Sequence, residues 1–437
     1  MIQDLCPVDA AIAAIIRGMF VVYEGLLYLV LIAAFPYFLI MGLFRGKYLA
    51  NFPERLGFYR SAPRAHDLWI HAVSVGETLA ARPVVDALLL RRPGTSIVLT
   101  TTTVTGQSQA RRLFPEATVT YFPLDFSRSV RRFLDHHRPR VLGTMETEIW
   151  PNVTRLARAR GIHLVLANGR ISDRSFPRYR AARRLVQPIL RNYSRILARE
   201  PVDRERFISI GAPESIVETI GNVKFDFEPD LRPLQIASEL ITTIAGRKVL
   251  VLGSTMQGED EILIPAIEPL LREGNTFVVI APRKAERFGA VADLLRSRGL
   301  RSARRSNWDG EAHDRSIQVL LLDTFGELAR IYRHADAAFI GGSLVPTGGH
   351  NPIEAAMAGV PLSFGPHMSN FREIASLFLH NGAATEVQSA DDVAAFARRM
   401  FSDPAEHRTR SDRARLTIEQ NRGASAHTAE RLIELLA

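Results

Sequence analysis

The chain has 437 residues, 46% hydrophobic and 23% charged, a composition that excludes a disordered or fibrous protein and suffices for two domains. A single cysteine, Cys6, excludes an internal disulfide and a cysteine-built metal centre. The formal charge of +9 suits an anionic partner: nucleic acid, acidic lipid or a phosphorylated substrate.

The first element is Gly25 to Phe44, GLLYLVLIAAFPYFLIMGLF, with no charge along it. As a helix it reaches about 30 Å, the thickness of a bilayer core. It exceeds the ~7–15 residue apolar region of a signal peptide. The segment before it holds Asp4, Asp9, Arg17 and Glu24 instead of a basic run. Pro36 would kink the helix, so an interfacial anchor and a spanning one both stand. Arg45, Lys47, Arg55, Arg60 and Arg64 follow and place the body of the chain on the cytoplasmic side of a membrane. Residues 1–47 are thus expected to form an N-terminal membrane-anchor helix.

From Asp67 onward apolar runs alternate with amphipathic ones. Strands are predicted at 68–73, 95–101, 117–123, 140–146, 162–168 and 195–200. The pattern restarts at 248–255, 276–283, 317–324, 336–342 and 360–366. Such βαβα alternation with continuously apolar strands predicts an α/β fold with parallel sheets covered on both faces. Phe225 to Leu240, with Pro229 and Pro233, reads as a linker. The expected domains are 48–226, binding an acceptor, and 227–437, binding a donor. Two Rossmann-like domains facing across a cleft are commonest in glycosyltransferases of the GT-B type.

Ligands of open α/β sheets bind beyond the carboxyl ends of the strands. The first such junction is HAVSVGE, where Glu77 falls in the first helical turn. Two readings stand: a helix-capping acid in a Ser74–Glu77 capping box, or a general base. The second is TMETEIWPN, where Glu146 and Glu148 are either solvated turn residues or, by alternation along a strand, aimed together to one side. The third is GNVKFD, whose Lys224 is either a surface lysine or a counter-charge for substrate. The fourth is GGSLVPTGGHNPIEAAMAG, a glycine-rich approach to a helix at Pro352 and Ile353, suited to an anion; Glu354 would accept from sugar hydroxyls. GSTMQGEDE, PRKAERF and DTFGELARIY each begin where a strand of the second half ends, with Arg283 placed for a phosphate.

Phosphate-loop, HExxH and GxSxG motifs are lacking. His136 and His137 are adjacent on one helix and read as surface residues. Arginines crowd 155–206, either as a solvated face or as a surface for anionic headgroups.

HAVSVGE, ETEIWPN, NGRIS (168–172), GNVKFD, GST..GE, PR..ERF, FGEL and GGHNPIEAA, in this order, resemble the 3-deoxy-D-manno-octulosonic acid (Kdo) transferases of lipopolysaccharide assembly. The likeness runs over roughly residues 20 to 430. It implies a GT-B fold at the cytoplasmic face of the bacterial inner membrane. The implied activity is inverting transfer of Kdo from CMP-Kdo to a lipid A precursor (lipid IVA), with neither metal nor cofactor and no nucleic-acid partner. It implies Glu77 as general base, with Glu148 and Lys224 stabilising the transition state. It implies CMP binding by Pro282, Arg283, Gly326, Glu327, Leu328, Asn351, Pro352, Ile353 and Glu354. The chain departs from the family pattern at Met256 and Lys284, where histidines are usual, and at Gly169, where alanine is usual. The alternatives are a membrane-associated GT-B transferase using a UDP-sugar, and a non-catalytic, membrane-tethered anion-binding module.

Overall fold

The computed structural model describes residues 18–34, 51–228, 237–308 and 316–437. The chain divides into two compact units, one running through Phe227 and including Arg422–Ala437, the other Glu228–Asn421.

The first unit is built on β1 (His66–His71), β2 (Ile97–Thr101), β3 (Thr118–Tyr121), β4 (Pro139–Met145), β5 (His163–Gly169), β6 (Arg195–Ala198) and β7 (Val217–Thr219). They form one sheet in the order β3-β2-β1-β4-β5-β6-β7. Every pairing is parallel, with Ile70 opposite Leu99 on one side and Gly143 on the other. Side chains of a strand alternate between faces, so one run feeds two cores. Trp69 and Leu142 join Phe133 and Phe207 on one face; Leu68, Ile70 and Leu99 join Val85 and Leu88 on the other. All are fully buried, and each such side chain stabilises the fold by about 1.5–3 kcal/mol.

The second unit repeats the plan with β8 (Lys248–Thr255), β9 (Thr276–Pro282), β10 (Ser302–Arg304), β11 (Val319–Leu321), β12 (Ala337–Ile340), β13 (Leu362–Phe364) and β14 (Ala384–Glu386). The order is β10-β11-β9-β8-β12-β13-β14, again with parallel pairings. Each expected strand forms, within a few residues of its expected ends. The strands that the sequence pattern does not announce are β7, β10 and β14, all three residues long and all at sheet edges. An edge strand pairs on one side only and lacks the apolar run by which a central strand is recognised.

In both sheets the connection reverses direction once. In the first this happens between β1 and β4, in the second between β8 and β12. These are the topological switch points at which doubly wound sheets bind ligands.

Two expectations change. The second domain was expected to run to residue 437, but the chain leaves it at Arg422. The helix Ala424–Glu434 instead packs on Val75–Arg91, and Leu432, with Leu436 just beyond the helix end, enters the core of the first unit. Asp226 secures the return, its carboxylate accepting the N–H groups of Gly423 and Ser425 at 2.6 Å each. At the other end, residues 18–34 are helical, and the rest of the expected apolar run, 35–44, lies outside the described residues. Among the described residues no helix is long and apolar enough to cross a membrane.

Candidate active site

The first switch point gathers acids. Helix Val75–Arg91 starts four residues beyond β1 and carries Glu77 in its opening turn. The expected capping box does not form. The Ser74 side chain caps no N–H group, whereas the Glu77 carboxylate accepts from the Val73 N–H at 2.7 Å and from the Ser74 hydroxyl at 3.2 Å. Glu77 is half-buried. Burial lifts its pKa to about 7; the nearby Glu146 and Glu148 push the same way, and the Val73 N–H and Ser74 hydroxyl pull against them. It is therefore a carboxyl that exchanges its proton near neutral pH, as a general base needs.

Glu146 follows β4 directly, with φ at +59°. This left-handed conformation is strained for a glutamate by on the order of 1–3 kcal/mol. It breaks the strand alternation, so Glu146 and Glu148 do not share partners as their spacing suggests. Glu146 accepts from Arg199 at 2.7 Å and from Lys224 at 3.0 Å. Burial acts to raise its pKa, but Arg199, Lys224 and Arg170 together win and hold it below the usual range. Glu148 is raised by burial and by Glu146, with the Trp150 indole acting in opposition.

Lys224 sits in the 3₁₀ turn Val223–Asp226, and its N–H donates to the Asn222 side chain at 3.1 Å. Asn168, also left-handed at φ +58°, accepts the Val223 N–H at 3.2 Å and, through its own carbonyl, the Arg199 Nε–H at 3.2 Å. Asn168 and Arg199 thus tie the ends of β5 and β6 to the lysine turn. The sequence pattern marks neither as a site residue. Asn168 has a signal in the sequence, since asparagine tolerates φ above zero and opens the run NGRIS; Arg199 is one arginine among many.

The second switch point gathers the residues implied for nucleotide binding. Pro282 closes β9, and the Arg283 N–H donates to the Thr255 carbonyl at 2.9 Å, tying β9 to the end of β8. The Arg283 side chain is exposed and acts electrostatically on His350 and Glu354. Burial raises the Glu354 pKa and Arg283 opposes it. Asn351 lies two residues before the helix Ile353–Met357, its side-chain oxygen taking the Ile353 N–H at 3.1 Å. Gly326 turns at φ +82°, Leu328 opens the helix Leu328–Tyr332, and Glu327 pairs with Arg305 at 2.9 Å. That helix packs against Ile353–Met357.

One expectation fails in detail. The glycine-rich approach was expected to offer its N–H groups to an anion. Those of Gly342, Ser343 and Leu344 instead converge on the buried carboxylate of Glu259, at 2.6, 2.9 and 2.9 Å. Met256 supplies a fourth N–H at 3.0 Å. The protein provides its own anion, and this locks the β12 loop to the β8 loop. His350 stands in the same glycine-rich motif. Its Nε2 is buried and meets no hydrogen-bond partner among the described residues, which suits it to a ligand.

Away from these sites, His137 is buried against Phe133, Tyr59 and His66, which corrects the surface reading. Of the arginines in 155–206, Arg199 is buried, whereas Arg174, Arg178, Arg180, Arg183 and Arg184 are exposed.

Two parallel α/β units, each with polar residues at its switch point, make a GT-B-like fold. A glycosyltransferase from Rickettsia africae shares that fold, with a TM-score of 0.54 at 12% identity over 85% of this chain and 98% of that one. The model of the family described as 3-deoxy-D-manno-octulosonic-acid transferase (kdotransferase) matches residues 50–227. The 3-deoxy-D-manno-octulosonic acid transferase of Haemophilus influenzae is 35% identical over 396 residues, 89% of this chain and 91% of that protein. The Bordetella pertussis protein of the same name is 36% identical over 392 residues, covering 87% and 90%. The chain belongs to the Kdo transferase family.

Proposed function

We propose that this protein moves Kdo from CMP-Kdo to a lipid A precursor, with inversion, at the cytoplasmic face of the bacterial inner membrane. The observation that carries the reading is Glu77: a half-buried carboxyl at a switch point with a pKa of about 7. An acceptor hydroxyl attacks the anomeric carbon of Kdo and gives its proton to Glu77. The bond from that carbon to the CMP phosphate oxygen breaks, and CMP leaves with the electron pair. A phosphate leaving group needs no general acid, so the remaining task is to stabilise charge. Glu148 and the Glu146–Lys224 pair act at the reacting centre. Arg283, His350 and the Asn351–Glu354 segment hold CMP, with Pro282 and Gly326–Leu328 shaping the rest of the donor site.

The acceptor carries phosphates, and Arg178, Arg180, Arg183 and Arg184 form an exposed basic face on two successive helices. Tyr179, between them, lies close enough to Glu148 for the carboxylate to raise its pKa further after burial has done so. The basic face therefore borders the proposed acceptor site. Residues 1–47 serve as membrane anchor, and nucleic acid is no partner.

The test is transfer from CMP-Kdo to lipid IVA by wild type and by Glu77→Gln. Product from wild type alone supports both the reaction and the base. Product from neither, with thermal stabilisation by UDP and none by CMP, would replace the reading with a UDP-sugar transferase.

A further inference from the structure

The helix at 18–34 meets the first unit along one face and bares the other. On the bare face Val21, Val22, Leu26, Leu29, Val30 and Ile32 are 54–72% exposed. Six large aliphatic residues on one exposed helical face are suited to the acyl boundary of a lipid surface. On the inner face Phe20 is buried beneath the Arg155 guanidinium, 4.7 Å from the ring centroid, and Tyr28 packs on Phe126 at 4.8 Å. Hydrophobic contacts like these would be enough for adhesion.

The same face also carries Tyr23 and Glu24, and both lead to one residue beside the catalytic loop. The Tyr23 hydroxyl donates to Asp125 Oδ2 at 2.9 Å. The buried Asp125 carboxylate accepts the N–H groups of Asn152 and Val153, at 3.0 and 2.8 Å, in the first turn of helix Pro151–Ala159. Glu24 accepts the Asn152 side-chain amide at 2.8 Å. It also accepts the Ser127 N–H at 3.0 Å and hydroxyl at 2.8 Å, at the start of helix Ser127–His137. The Asn152 amide reaches the Asp125 carbonyl as well, at 2.6 Å. Asn152 ends the run ETEIWPN, so its anchorage sets where Glu148 and Trp150 lie. A buried polar cluster is stable only while every member keeps its partners, and the helix at 18–34 supplies two of them.

We propose that Tyr23 and Glu24 are positioning residues: docking of the N-terminal helix holds the loop 146–150, and with it Glu148, in its working place. This rests on the reading of the acceptor as a membrane lipid and of Glu148 as a group acting in the transfer. It makes the lipid-facing helix a part of the transfer machinery as well as an anchor. The two faces divide the work, aliphatic groups meeting lipid and polar groups meeting the loop.

The experiment uses the full chain with Tyr23→Phe and Glu24→Gln. Binding is measured on phosphatidylethanolamine–phosphatidylglycerol vesicles, hydrogen exchange on the amides of 146–153, and kcat and KM with CMP-Kdo. The expected result is unchanged vesicle binding, exchange at 146–153 faster by about tenfold with the rest of the first unit unaltered, and kcat about tenfold lower at constant KM. In a Glu148→Gln background the further loss of kcat should vanish. Unchanged exchange and kcat would overturn the proposal, as would losses that add fully to that of Glu148→Gln or that follow lost vesicle binding. Tyr23→Phe removes one hydroxyl and spares the fold if Glu24→Gln does not. Exchange is read without any donor, so a protein that shows the exchange response yet transfers no Kdo keeps the coupling and loses the reaction.

Discussion

Lys224 Nζ stands 3.0 Å from Glu146 Oε1, and Arg199 reaches the same oxygen at 2.7 Å. The lysine that its motif presents as a free positive charge shares its carboxylate with Arg199. The two cations differ in exposure: the Arg199 side chain is 4% exposed and that of Lys224 is 24%. Glu146→Ala takes the carboxylate away from a buried guanidinium and should cost about 3–5 kcal/mol of stability. Lys224→Ala leaves Glu146 with Arg199 and should cost about 1 kcal/mol. Urea unfolding of the two variants checks the order, and both should lose transfer activity.

Glu77→Gln should fold and lose transfer by about 10²–10⁴-fold, the usual worth of a general base. In wild type, log(kcat/KM) should rise with unit slope up to about pH 7, where Glu77 gives up its proton, and then level off. The same shift acts on stability. Between the ordinary glutamate pKa and about 7 the folded state holds a proton that the unfolded state has released, so stability falls as pH rises through this window. Glu77→Gln should therefore be more stable than wild type at pH 8, by ~1–3 kcal/mol, and match it below pH 4.

Glu259→Ala should free four backbone N–H groups at once. Those of Gly342, Ser343 and Leu344 would be left without their acceptor in the interior. Each stranded donor costs about 1–3 kcal/mol, less whatever water recovers. The expected outcome is a lower melting temperature together with a raised KM for the CMP-sugar, since the loop leading to His350 loses its tether. A donor KM equal to that of wild type in a folded variant would detach Glu259 from donor binding.

His137 is held neutral by burial, with His136 and His66 adding to the effect, and its pKa falls to about 3. The unfolded chain takes up a proton near pH 6.5 that the folded chain refuses, so stability is full above that value and declines as pH drops toward 3. Both ring nitrogens lack hydrogen-bond partners among the described residues, which removes any bond for a substitution to break. His137→Phe should preserve the fold and move the acid-unfolding midpoint to lower pH, read by circular dichroism.

The central strands were legible because burial on both faces leaves an unbroken apolar run, as in Leu68–Ile70 and Leu250–Leu252. Of the edge strands only β3 was: β10 reads Ser-Ala-Arg and β14 Ala-Thr-Glu, and nothing in such triplets demands a sheet. Glu77, Glu148 and Arg283 were legible because each follows a strand that ends at a sheet's binding edge. The wiring between them was hidden. Arg199 is distinguished from its neighbours only by the fold that buries it. The left-handed backbone at Glu146 defeats any inference from strand alternation. Glu259 reads as one acid in the run GEDE, yet its four N–H partners come from two loops far apart in sequence.

The helix Ala424–Glu434 gives the chain an unusual order of parts. Its second unit is an insertion, entered after Phe227 and left at Asn421, within a first unit whose own ends are separated by that whole length. The inserted unit is one uninterrupted segment and is the piece that can be excised, whereas the first unit exists only when two distant stretches meet. Ribosomal synthesis therefore completes the inserted unit before its host. Until Leu432 and Leu436 emerge, the groove that receives them on Val75–Arg91 stays open, and loss of the last few residues would leave a complete inserted unit beside an unfinished host.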